Sequence, residues 1–440
     1  MNPSPNILLI MTDQQHAAMM SCAGNQQLQT PAMDQLAQDG IRFERAYCTN
    51  PVCVASRTSM ATGMMPGRLG ANENGPGMEI GALPGAVDEH SLGKMVKAAG
   101  YDAFYGGKVH MCQALHPDKA GYDKYFPDDR EALPAACVDF IRKERDRPFF
   151  AVASFINPHD ICFAHRAHNG MDTHGVLELY TEAASLPLEQ LPPLPDNYAI
   201  PQGEPSAVEA NASTTAITPS GTMRQEYDER DWRINRWIYH RLTEQVDQHI
   251  GIILQGLQEA RLEEDTLILF VSDHGNMDAS HRLASKGFYY DESVGVPLIM
   301  KYKGEIPGGR TDQQHLVSTG LDILPTICDY AGVEKPAHLL GESLRPLAKG
   351  EAVDAWRSYV ASENHWFRMI RSSKFKYSVA NSTDRQECLI DMENDCGEMQ
   401  NLVEVPKFRN TLVEHRRLLA EWIEISGDEE GSNYTSDERK

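Results

Sequence analysis

A chain of 440 residues with 41% hydrophobic and 24% charged residues has an ordinary globular composition and is long enough for one large domain with a smaller appendage. Its formal net charge of −22 argues against a nucleic-acid or anionic-membrane binder, both of which need basic faces, and obliges any anion site to gather its cations locally. The nine scattered cysteines include no CxxC pair and indicate neither a disulfide framework nor a structural zinc site, and no apolar stretch is long enough to span a bilayer. The opening residues, 1–5, lack the basic region and cleavage site of a signal peptide, so the expectation is a cytoplasmic protein, or a periplasmic or secreted one if the sequence has been trimmed.

In chain order, residues 6–11 are an apolar run of strand length ending on Thr12-Asp13-Gln14. A continuous apolar run predicts a central parallel strand, and its polar end falls where α/β sheets place their sites. Asp13 and Gln14 offer hard oxygen ligands, although Asp13 as a helix N-cap is the ordinary alternative. Residues 30–37 read as a helix with Thr30 as cap and Pro31 in its first turn. The stretch 50–63 puts Cys53 at or just before a helix N-terminus, which favours anions, and Arg57 one turn further on carries a planar fork suited to an oxyanion. Taken alone, it is equally a half-buried thiol beside a surface arginine.

A helix over 91–99 and a strand over 101–105 deliver Gly106-Gly107-Lys108-Val109-His110, whose Lys and His, two apart on extended chain, face the same way. Another apolar strand, 148–155, leads to Asn157-Pro158-His159, and an imidazole with its usual pKa of about 6.5 suits proton transfer. Residues 161–230 are rich in Pro, Asn, Ser and Thr and predict a loop-rich excursion over the site, in which His165, His168 and Arg224 read equally well as solvated surface. A long helix over 232–260 precedes the β-like run 266–271, which ends on Ser272-Asp273-His274-Gly275. That is a second carboxylate at a strand end, placed to face Asp13. His281, Lys286-Gly287, a strand over 296–300 and a helix over 318–326 follow, then short strand patterns beyond residue 355, a terminal helix after Asn401 and an acidic tail expected to fray.

Cys53-Val54-Ala55-Ser56-Arg57, continued by Thr62-Gly63 and Gly67-Arg68, resembles the Cys-x-Pro/Ala-x-Arg signature of the type I sulfatases of the alkaline-phosphatase-like superfamily. Asp13, Gly107-Lys108-Val109-His110, Pro158-His159, Ser272-Asp273-His274-Gly275 and His281 with Lys286-Gly287 fall in that family's order, and the resemblance covers nearly the whole chain. Three positions depart from the usual pattern: Ala55 stands where Pro is common, Gln14 replaces a second Asp, and His274 stands where many sulfatases have Asn.

The resemblance implies an α/β fold with a large mixed, mostly parallel sheet flanked by helices (residues 1–350), and a small C-terminal antiparallel sheet with a helix (351–440). It also implies oxidation of Cys53 to formylglycine, whose hydrated aldehyde is the nucleophile, and one divalent metal on Asp13, Gln14, Cys53, Asp273 and His274, calcium first, with manganese or magnesium as alternatives. Arg57, Lys108 and Lys286 would offset the sulfate charge, His110 would act as base and His159 as proton donor, and the substrate contacts would be Arg57, Lys108, His159, His281 and Lys286. The implied partners are a sulfated small molecule or oligosaccharide and a formylglycine-generating or radical maturation enzyme. Two alternatives stand beside a carbohydrate O-sulfatase: a phosphonate or phosphate monoester hydrolase, suggested by Gln14 and His274, and an inactive binding homologue that keeps the Cys53 thiol.

Overall fold

The first apolar run forms β1 (Asn6–Asp13), buried at every position after Asn6 because parallel neighbours and helical layers cover it on all sides. The structure, a computed structural model, describes residues 4–214, 218–382 and 386–435; residues 1–3 of the chain start and 436–440 of the acidic tail lie outside the described residues. After β1 the strands are β2 (Ile41–Phe43), β3 (Ala46–Tyr47), β4 (Asp102–Gly107), β5 (Lys124–Phe126), β6 (Phe149–Pro158), β7 (Thr266–Ser272), β8 (Leu298–Lys301), β9 (Arg310–Asp312) and β10 (Val317–Ser318). Near the C-terminus come β11 (Tyr359–Glu363), β12 (Phe367–Ser372), β13 (Phe375–Ala380) and β14 (Glu387–Asp391).

The main sheet has eight strands in the order β5-β4-β6-β1-β7-β8-β2-β9. Its first five strands run parallel, and β8 is antiparallel to both β7 and β2. The mixed, mostly parallel sheet read from the sequence is therefore the observed one. One face packs on the helices Pro31–Asp39, Leu133–Ile141 and Glu229–Glu259, the other on Cys53–Thr62, Leu92–Ala98 and Thr319–Ala331. β11 to β14 form a four-stranded antiparallel sheet backed by the helix Arg409–Ser426, and its apolar cluster also takes in Met65 and Leu321.

Two local details differ from the sequence reading. Thr30 stands at the N-cap, but its hydroxyl is turned to Ser21 and Asp34. The first free N–H groups of that helix, from Ala32 and Met33, go to the carboxylate of Asp247 at 3.1 and 2.9 Å. A charged acceptor satisfies two orphan donors where a hydroxyl serves one. The stretch 161–230 is a packed layer as much as a loop: Ile161, Val176, Ala183 and Leu191 cluster against Trp237, Ile238 and Leu242 of the long helix.

Candidate active site

Four neighbouring strands end on one rim of the main sheet, and each delivers a polar side chain there. Lys108 follows β4, His159 follows β6, Asp13 closes β1 and Asp273 follows β7. Because β1 lies between β6 and β7, with Thr12 beside Ser272 and Asp13 beside Pro158, carboxylates 260 positions apart in sequence meet without any loop having to fold over. Cys53 starts the helix Cys53–Thr62, whose next N–H, on Val54, is capped from outside by Asn74 Oδ1 at 3.1 Å.

Asp13, Cys53, Asp273 and His274 each offer one ligand atom, and these atoms lie within 4.8 Å of one another, all buried. His274 Nδ1 can only donate to the carbonyl of Gly275, at 2.9 Å, which leaves Nε2 as the free lone pair, 3.1 Å from Cys53 Sγ and 3.6 Å from Asp273 Oδ1. Burial and the facing Asp13 raise the Asp273 carboxyl to about 6, as expected for two acids sharing one pocket. Burial also works against ionised Asp13, but Lys108, His159, Arg57 and Lys286 outweigh it and hold its carboxyl well below the usual range. Two hard carboxylates, an imidazole and a sulfur position in one dry cluster suit a divalent cation; the oxygens favour calcium and the imidazole widens the choice towards manganese.

Arg57 corrects an expectation. Its guanidinium is 1% exposed and its donors go to Asp273 (2.7 Å), Asp13 (2.9 Å), the Ser154 hydroxyl (2.7 Å) and the Lys108 carbonyl (3.1 Å). Instead of meeting substrate, the fork clamps the two carboxylates. Gln14 is also redirected. Its Oε1 accepts from Lys286 Nζ at 2.8 Å and Cys162 Sγ at 3.2 Å, so it steadies Lys286 and does not complete the ligand set.

Lys108 Nζ lies 2.7 Å from Asp13 and Lys286 Nζ 3.0 Å from Cys53 Sγ, so both ammonium groups reach the cluster. Burial and Asp13 push the Cys53 thiol up, yet Lys286, Lys108 and His274 bring it well below an ordinary thiol. His159 keeps its place beside the cluster but not an ordinary pKa. Burial, Lys108 and Lys286 pull it down to about 4, so at neutral pH it stands as neutral imidazole.

The remaining two histidines sit elsewhere. His110 has no hydrogen bond to Cys53; it is half-buried, with Nδ1 unpartnered, and lines a cavity of about 640 Å³ with Met78, Val109, Met111 and His116. His281 is fully buried, stacked on Tyr290 at 3.9 Å between ring centres, and its backbone is tied to Asn197 and Arg224. Its contacts are thus to Tyr290, Asn197 and Arg224 and not to the cluster around Cys53.

Sequence reasoning missed Cys162, Ser154, Asn276 and Ser56. Ser154 takes Arg57 and donates to the Lys108 carbonyl at 2.6 Å, Asn276 accepts the Gln14 amide at 3.0 Å, and Ser56 donates to the Asp273 carbonyl at 2.5 Å. A lone serine near the end of the apolar β6 run was a usable signal; nothing in the spacing flags Cys162.

Carboxylates, an imidazole and a helix-start cysteine converging at the parallel-strand ends of a large sheet define a metal-dependent ester hydrolase of the alkaline-phosphatase-like class. The family model described as Sulfatase matches residues 5–333, and that for the C-terminal part of N-sulphoglucosamine sulphohydrolase matches residues 279–424. The chain belongs to the sulfatase family and is a sulfuric ester hydrolase. It is 29% identical to a Delta 4,5-hexuronate-2-O-sulfatase of Bacteroides thetaiotaomicron, over 97% of this chain and 90% of that protein. Among solved structures, a 2-O GAG sulfatase superposes with a TM-score of 0.86 at 28% identity, covering 98% of this chain and 94% of the other. A phosphonate monoester hydrolase of Agrobacterium radiobacter shares the fold, with a TM-score of 0.73, 21% identity and 96% of both chains covered.

Proposed function

We propose that this protein removes an O-sulfate from a carbohydrate, with a 2-O-sulfated uronic acid from a glycosaminoglycan as the substrate class to try first. The observation that carries the reading is the single cluster made by Asp13, Cys53, Asp273 and His274 with two lysines beside it. The substrate class takes its support from the hexuronate-2-O-sulfatase and the 2-O GAG sulfatase that this chain resembles over nearly its full length.

In this reading Cys53 is oxidised to formylglycine by a maturation enzyme, and the hydrated aldehyde supplies the attacking oxygen. Asp13, Asp273, His274 and the residue at position 53 would hold one divalent ion, calcium first, which when bound supplies Lewis-acid stabilisation of sulfate charge. The other side chains have tasks the geometry already supports. Arg57 keeps both carboxylates from rotating, and because it is buried among hydrogen-bonded partners it needs no reorganisation during turnover. Lys108, held on Asp13, and Lys286, held on position 53, neutralise non-bridging sulfate oxygens as charge builds. His159, set by the turn after β6 beside both lysines, hydrogen-bonds the departing alcohol oxygen.

The test has two parts. Peptide mass of the Cys53 fragment from a host with maturation enzymes should show the aldehyde form, and the matured protein should turn over a 2-O-sulfated unsaturated uronide faster than matched phosphate and phosphonate esters. His274 and Gln14 favour the phosphonate alternative, so a higher kcat/KM on phosphonate or phosphate esters overturns the sulfatase reading.

A further inference from the structure

Gln14 is pinned at every polar atom. Its φ of +67° is an uncommon, strained conformation for a residue with a side chain, and it is held there by its N–H donating to Asp273 Oδ1 at 3.1 Å and its carbonyl accepting from the Tyr239 hydroxyl at 2.6 Å. At the amide, Nε2 donates to Asn276 Oδ1 at 3.0 Å, and Oε1 accepts from Lys286 Nζ at 2.8 Å and from Cys162 Sγ at 3.2 Å. An ammonium can only donate, so Oε1 must face Lys286; an amide turned the other way would set NH2 against NH3⁺.

Lys286 ends a flexible four-carbon stem and needs such an anchor to hold its charge 3.0 Å from Cys53 Sγ. Cys162, 5% exposed, lies three residues after His159 in the same short 3-10 turn, and its carbonyl is held by the Thr218 hydroxyl at 3.1 Å. The residue is therefore held at both its carbonyl and its thiol.

We propose that Cys162 is a positioning residue: its S–H, the second donor on Gln14 Oε1, holds that oxygen in place and through it aims the Lys286 ammonium at the sulfate site. The chain of contacts runs Cys162, Gln14, Lys286, Cys53, and it joins the turn carrying His159 to the cation beside the nucleophile. The inference rests on the sulfatase reading only for its substrate; the relay itself concerns anion binding.

The experiment compares wild type, Cys162→Ala and Cys162→Ser, each calcium-loaded, for calorimetric binding of inorganic sulfate and for kcat and KM on an aryl sulfate. Cys162→Ala should weaken sulfate binding and lower kcat/KM by about 3–10-fold, the worth of one modest hydrogen bond. Cys162→Ser, which keeps a donor, should return both to within about two-fold of wild type. In a Lys286→Met background Cys162→Ala should have no further effect on sulfate binding, since the two act through one contact. Unchanged sulfate affinity in Cys162→Ala, a serine variant as impaired as the alanine one, additive losses in the double variant, or a wild type that binds no sulfate would each overturn the relay. A matured wild type that binds sulfate but leaves both aryl sulfate and the 2-O-sulfated unsaturated uronide intact sinks the sulfatase reading instead, while the sulfate titrations still decide the relay.

Discussion

Two buried charge clusters in this molecule look alike by composition and differ in what they leave unspent. At the junction with the C-terminal sheet, Lys376 is 1% exposed and gives all three donors to protein: the Tyr289 carbonyl at 3.1 Å, Glu398 at 2.7 Å and Asp291. Glu398 in turn accepts the Asp291 N–H at 2.6 Å. At the strand ends of the main sheet, Lys286 gives two donors, to Gln14 and Cys53, and the Lys108 ammonium has the single partner Asp13 among the described residues. The first cluster is closed and glues two sheets; the second keeps donors for something that is not protein. A buried charge thus points to function when its hydrogen-bonding capacity is not exhausted.

Swapping the two lysines for methionine tests that contrast most severely. Lys286→Met should lower kcat/KM by about 10²–10³, the loss expected for one electrostatic contact to a developing oxyanion, with a melting temperature close to wild type. Lys376→Met should do the reverse. It removes the ammonium on which buried Glu398 and half-buried Asp291 converge, a loss of about 1–3 kcal/mol in stability, while the folded fraction keeps its turnover. Steady-state kinetics beside thermal melts separates the two, and equal effects on both readouts would erase the distinction drawn here.

Cation binding should sharpen the comparison next. Asp13 and Asp273 face each other, and burial together with Asp13 raises the Asp273 carboxyl. Calcium at about 100 times its dissociation constant should stabilise the folded protein by about 2.7 kcal/mol, read as a rise in melting temperature that a chelator reverses. Asp273→Asn should lose most of that rise, whereas Glu398→Gln should keep it, because the junction cluster is already neutralised by its own lysine.

Much of this was legible in the sequence, for physical reasons. β1 and β7 are unbroken apolar runs because they lie inside a parallel sheet with both faces covered, and a polar residue at the end of such a run has few places to be except the sheet rim. Asp13, Cys53, Asp273 and His274 were readable on that logic together with the motif order. What residue types do not disclose is who consumes their donors. Arg57 reads as an anion binder until Asp13 and Asp273 are seen to occupy it, and His281 reads as a contact until Tyr290 is found stacked over it. Cys162 and Asn276 gave no signal because their roles are set by a neighbour from a distant part of the chain.

The smallest effect is a pH dependence at the junction, and it concerns Glu363. Burial raises its carboxyl to about 7, with Asp428 and Glu430 adding to the shift and Arg368 and the Gly67 N–H opposing it. Arg368 cannot relieve it fully, since its fork is spent on Asp428 at 2.6 and 3.1 Å and lies 3.7 Å from Glu363, with the Tyr434 ring covering its face. A carboxyl whose folded pKa stands above its unfolded value stabilises the fold fully below about 4.5 and loses that contribution as pH rises through about 7. Glu363→Gln keeps an acceptor for Gly67, at 2.6 Å in the wild type, and removes the titration. Wild type should therefore lose on the order of 2 kcal/mol between pH 5 and 8 that the variant retains, so its melting temperature should fall towards pH 8 while that of Glu363→Gln stays flatter. Parallel melting curves across this range would mean that Arg368 neutralises Glu363 after all, and that the junction is closed in charge as well as in geometry.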